Sequence, residues 1–108
     1  MGFLVPRSKL TEYLLNPRHP EGGSKARFFL SRGFTVDAPE VLELALLAHA
    51  QAAQEVQRRP GLYGDGEVLI LRGPLVCPTG PVLLQSVWYR GEGEDTFRLV
   101  TAYPWREK

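Results

Sequence analysis

The chain has 108 residues, a net charge of +1 and 44% apolar residues, the composition of one globular domain with room for a single core. A near-neutral charge excludes a protein that grips nucleic acid by bulk electrostatics alone, although Arg7, Lys9, Arg18, Lys25, Arg27 and Arg32 against Glu12 and Glu21 give the first third a local positive bias. Cys77 is the only cysteine, which excludes an intrachain disulfide and a cysteine-built zinc site. No apolar run approaches the ~20 residues of a membrane span, and Met1–Pro6 is too short for a signal-peptide core, so a reducing, cytoplasmic compartment is expected.

Phe3–Val5 reads as a short edge strand stopped by Pro6. Ser8 is a good N-cap for a first helix through Leu15, with Leu10, Tyr13 and Leu14 on one apolar face. Asn16-Pro17 ends it, because the residue before proline is pushed out of the helical region. The loop that follows, Asn16 to Arg27, is organised like a functional segment: His19, Lys25 and two arginines stand within a dozen residues, framed by Pro17, Pro20, Gly22 and Gly23. The two glycines read as a hinge, Ser24 as the cap of a second helix, and Gly33 as its stop. Asp37-Ala38-Pro39-Glu40 has the form of a capping box with proline in the first turn. It opens a third helix expected from Ala38 to Gln57, with Val41, Ala45, Ala48, Ala52 and Val56 as its apolar stripe and Leu42, Leu46 and Ala53 beside it. Arg58-Arg59-Pro60-Gly61 is expected to end it.

From there the period becomes that of strands. Glu67–Arg72, Val82–Arg90 and Thr96–Tyr103 are expected strands, separated by the Gly73-Pro74 break, the Pro78–Pro81 turn and the polar Gly91–Asp95 turn. The expected architecture is α+β: about three N-terminal helices packed on a C-terminal antiparallel sheet of three to four strands.

Several residues carry chemistry. His19 belongs to the one residue type whose ordinary titration lies between pH 5 and 8, and it sits in an exposed-looking loop. Lys25 and Arg27 fall in the first turn of a helix, the wrong end for cations, and together with free N–H groups they suit a phosphate. Thr101 and Tyr103 alternate onto one strand face, with Val100 and Ala102 turned toward the helices, and offer hydroxyl donors; Ser86 and Trp88 are candidates to share that face. Arg98 has the opposite parity and is expected to miss it. His49, mid-helix with alanines at i−4 and i+4, reads as structural or surface-exposed, and with two histidines far apart no metal site is expected. Cys77 reads as a small apolar filler.

The segments Lys9-Leu10-x-x-Tyr13-Leu14-Leu15-Asn16, His19-Pro20-x-Gly22, Lys25-Ala26-x-Phe28-Phe29, Gly33-Phe34, Tyr63-Gly64, Val87-Trp88 and Leu99–Pro104 together resemble an uncharacterised bacterial family of stand-alone domains found beside small antitoxin-like proteins. That family is similar in turn to the barnase–EndoU–colicin–RelE group of metal-independent ribonuclease toxins. The resemblance implies a cytoplasmic endoribonuclease with His19, Lys25, Thr101 and Tyr103 as catalytic residues, Lys25 and Arg27 as phosphate contacts, no metal or cofactor, RNA as substrate, and a small antitoxin-like protein as inhibitor. Glu67 departs from the polar or aromatic residue that follows the Tyr63-Gly64 loop in similar sequences, so that loop is given no role. The alternative is a non-catalytic RNA- or protein-binding module of the same fold, and an exposed edge strand leaves monomer and homodimer both open.

Overall fold

The structure, a computed structural model, describes residues 2–20, 23–61 and 64–106. Along the chain come β1 (Gly2–Leu4), α1 (Arg7–Lys9) running into a π-helical turn (Leu10–Leu14), α2 (Gly23–Ser31), α3 (Pro39–Ala52), β2 (Gln54–Pro60), β3 (Glu67–Cys77), β4 (Gly80–Arg90) and β5 (Thr96–Pro104). The architecture is α+β, as expected, but the sheet has five strands in the order β1-β5-β4-β3-β2. It is mixed: β1 runs parallel to β5, and the other neighbours are antiparallel. The helices are therefore not all ahead of the sheet, because a strand opens the chain. No helix among the described residues is long and apolar enough to cross a membrane.

One core joins the helices to one face of the sheet. Leu10, Leu14, Leu15, Phe29, Phe34, Leu42 and Leu46 meet Leu69, Leu71, Leu75, Leu84, Trp88, Phe97, Leu99 and Ala102. Alternation in β4 puts Leu84, Ser86 and Trp88 inside and leaves Gln85, Val87 and Tyr89 on the other face. Ser86 and Trp88 are thus core residues and share no face with Tyr103, whose strand partner is Gln85.

The first helix starts at Arg7 behind Pro6, with no side-chain cap, so Ser8 is the second residue of the helix rather than its N-cap. Its continuation is π-helical, and the Leu15 N–H donates to Leu10 O at 2.9 Å. Ser24 lies inside α2, which begins at Gly23. Gly33 has φ +98° and ends the helix as glycine should. Asp37 caps nothing: Ala38 holds the cap position of α3 without a side-chain bond, and Pro39 takes the first turn.

Helix α3 ends five residues earlier than expected, at Ala52 rather than Gln57. Ala53 turns extended (φ −73°, ψ 154°), and Gln54–Pro60 pairs with β3. Gln and Glu are good helix formers, but β3 would otherwise present an open edge. The inward stripe is Pro39, Leu42, Leu46, His49 and Ala50, while Val41 and Val56 are exposed. Nor do Gly73 and Pro74 break β3, which continues to Cys77. A side chain at Gly73 would come within 2.8 Å of Ala53 Cα, so the glycine lets the end of α3 settle on the strand.

Candidate functional site

β1 pairs only with Thr96–Arg98 of β5. Among the described residues no strand covers the rest of that edge; α2 lies against it instead, and Tyr13 of the π turn reaches Thr101 there. The π turn carries Tyr13 toward the edge while Leu10, Leu14 and Leu15 stay buried. π turns recur at functional sites, and here the turn makes Tyr13 a hub. Its hydroxyl lies 3.0 Å from Thr101 Oγ1. The His19 ring meets its ring edge-on at 5.0 Å and 87°. Lys9 Nζ and Lys25 Nζ stand 5.0 and 5.9 Å from the ring centroid, within the range of cation–π attraction.

Lys25 also lines a cavity of about 490 Å³ with Ser24, Phe28, Tyr103 and Pro104. The position of Tyr103 is fixed from the sheet. Arg72 donates to Gln85 Oε1 through Nε (3.2 Å) and Nη2 (2.8 Å), and Gln85 Nε2 donates to the Tyr103 hydroxyl oxygen at 2.6 Å. A guanidinium only donates, so the amide must face it with its oxygen, and the amide hydrogen goes to Tyr103. The Tyr103 hydroxyl thereby keeps its own hydrogen for another acceptor.

The loop before α2 is braced. His19 N–H donates to Asn16 O (3.1 Å), Arg18 N–H to Asn16 Oδ1 (3.0 Å), and Gly23 N–H to His19 O (3.0 Å). Gly23 is buried, and a Cβ there would stand 2.7 Å from Pro17 O. It serves close approach, not a hinge; Glu21 and Gly22, like Tyr63, lie outside the described residues.

Of the residues singled out from sequence, Lys25 and Tyr103 share the cavity, and His19, Lys25 and Thr101 converge on Tyr13. Arg27 is exposed and outside the cavity. A β-bulge at Val100 shifts the register, so that Thr101 faces Val87 and Arg98 faces Tyr89. The bulge cancels the parity difference between Arg98 and Thr101 and leaves Val100 exposed, while Ala102 points inward. Arg98 is engaged elsewhere, with Glu94 at 2.8 Å. Lys9, Tyr13 and Phe28 were not legible as site residues by periodicity. The signal for the first two was the i, i+4 spacing of a cation and an aromatic.

His49 is structural. It is buried, and its network fixes its tautomer: Nδ1–H donates to Pro74 O (3.2 Å), Trp88 Nε1–H donates to Ser86 Oγ (2.8 Å), and the Ser86 hydroxyl donates to His49 Nε2 (2.7 Å). Burial pushes its pKa down, against the opposing pull of the Pro74 and Gly73 backbone. Ser86 is wholly buried, so this serine–histidine pair meets no substrate. Cys77 is buried as well, and burial raises its thiol.

Neither a curated protein nor a solved structure matches the chain. One family profile does, over residues 2–106, and its description is Domain of unknown function (DUF6883). The chain belongs to the DUF6883 family.

Proposed function

We propose that the chain is a metal-independent endoribonuclease, acting as a toxin domain that a small antitoxin-like protein holds in check. The observation that carries this reading is the cluster on the β5 edge: the His19 imidazole, the Lys9 and Lys25 ammonium groups and the hydroxyls of Ser24, Thr101 and Tyr103 gather around Tyr13 and the adjoining cavity, and among the described residues no carboxylate lines that cavity. Such a set suits attack of a ribose 2′-OH on the neighbouring phosphate. The O2′–P bond forms, the P–O5′ bond breaks, a base takes the 2′ proton and an acid protonates O5′.

In this reading His19 is the base. Tyr103 is the acid, since its oxygen already accepts the Gln85 hydrogen and its own hydrogen is left to give. Lys25 neutralises the charge that builds on the phosphoryl oxygens. Thr101, tied to Tyr13, positions the phosphate, Lys9 adds a second cation, and Arg27 is an outer phosphate contact.

The test is incubation of the purified protein with a single-stranded RNA in EDTA, beside the same strand carrying one 2′-deoxy residue at the cleaved position. The reading expects a 2′,3′-cyclic phosphate and a 5′-hydroxyl from the first and an intact second strand. Cleavage of the deoxy strand would refute the 2′-OH mechanism. RNA bound but left intact would make the chain a binding module.

A further inference from the structure

Beside the Lys25–Tyr103 cavity lies a second, of about 290 Å³, lined by Phe28, Arg32, Leu83, Pro104, Trp105 and Arg106, among others. Phe28 and Pro104 belong to both, so the two form one track along α2 and the end of β5. Three features of this track bear on its ligand. The first is charge: among the described residues Lys25, Arg32 and Arg106 line it and no carboxylate does. The cavity formed by Glu67, Arg90, Glu94 and Asp95 is the opposite case.

The second is the alternation of cations with flat side chains. Arg32 stands 5.6 Å from the Phe28 centroid, and Arg72 lies 3.8 Å from the centroid of Trp105. The third is that these groups are held in place. Trp105 N–H donates to Leu83 O at 3.0 Å, and Arg72 behind the indole is clamped by Gln85. The carbonyl of Arg32 accepts from both Thr79 N–H (3.4 Å) and Thr79 Oγ1 (3.1 Å), which pins the end of α2 to the β3–β4 turn.

A cationic track with aromatic platforms fits a strand whose phosphates are regularly spaced and whose bases have open faces. We infer that the second cavity is a nucleobase subsite for unpaired RNA. The strand passes from the Lys25–Tyr103 cavity over Phe28 and Pro104, one base stacks at Trp105, and Arg32 and Arg106 meet its phosphates. That RNA is the ligand rests on the ribonuclease reading. The requirement for unpaired bases adds to it, because a base inside a duplex has no free face to offer Trp105.

The experiment is fluorescence anisotropy with a labelled octanucleotide that is 2′-O-methylated throughout, and so cannot be cut, alone and annealed to its complement. The full chain is compared with Trp105→Ala, Trp105→Phe and Arg32→Gln, each checked for folding by circular dichroism. The subsite predicts preference for the single strand, a loss of roughly 5- to 100-fold in affinity for Trp105→Ala, near-complete recovery in Trp105→Phe, and weakened binding with a shallower salt dependence for Arg32→Gln. Equal binding of the duplex, equal binding of a polyglutamate peptide, or an unchanged Kd in Trp105→Ala would overturn it. Trp105-dependent binding without cleavage of natural RNA removes the nuclease and leaves the subsite; cleavage with Trp105-independent binding does the reverse.

Discussion

His49 must be neutral to fit where it sits. With Nδ1–H committed to Pro74 and the Ser86 hydrogen aimed at Nε2, a second ring proton would meet a donor, in a place where burial already penalises charge. Its folded pKa is therefore lowered, while the unfolded chain titrates near the ordinary 6.5. Below that value the unfolded state binds more protons, so stability is constant above about pH 6.5 and falls as pH drops through and below it. Urea unfolding at successive pH values should show this limb, and His49→Gln should lack it; a flat response between pH 7 and 5 would remove the assignment. Tyr13→Phe keeps the ring beneath Lys9, Lys25 and His19 and removes the bond to Thr101. It should lower stability by about 0.5–1.5 kcal/mol in the same assay. His19, Lys25, Thr101 and Tyr103 could be singled out by residue type and position. Tyr13 could not, because on a 3.6-residue period it shares a face with Leu10 and Leu14, and only the π turn separates it from them.

At the level of elements, sequence pattern located the strands and helices well where period and punctuation agreed, as in β4, β5 and the Gly33 stop. It failed where contacts between distant segments decide. Gln54–Gln57 carry helical propensity yet form β2, because pairing with β3 outweighs the few tenths of a kcal/mol per residue that propensity supplies. Gly73-Pro74 looks like a break and is a docking point: the glycine admits Ala53, and the Pro74 carbonyl receives His49. Gly73→Ala should therefore push α3 off β3 and lower stability by about 1–3 kcal/mol, measured by the urea midpoint at constant m. A neutral result would mean that the helix end yields without cost. The β5 bulge is the other case: one extra residue, Val100, reverses the parity on which Arg98 and Thr101 had been set apart.

Across the whole molecule the ion pairs gather at one end of the sheet. There Glu67 binds Arg58 (2.9 Å) and Arg90, Arg58 binds Glu55 (3.0 Å), and Glu94 binds Arg98 (2.8 Å) and Gly91 N–H (2.7 Å). The partner arginines hold Glu67 below the usual carboxylate range, and the Gly91 N–H and Arg98 do the same for Glu94. These pairs are at least partly open to solvent, so they add a shallow loss of stability as pH falls through and below about 4.5, and salt should reduce it. Lys25, Arg32 and Arg106 line the open track near the β5 edge instead, and it is there that the proposed reading has an anion bind. The most direct measurement is kcat/KM for cleavage of a short single-stranded RNA in EDTA by the native chain, His19→Ala, Lys25→Ala and the distant Arg98→Gln. The account predicts losses of roughly 10²- to 10⁴-fold for the first two variants, with unfolding midpoints little changed, and native activity for Arg98→Gln. Cleavage that survives both His19→Ala and Lys25→Ala, or a native chain that leaves RNA intact, would contradict it.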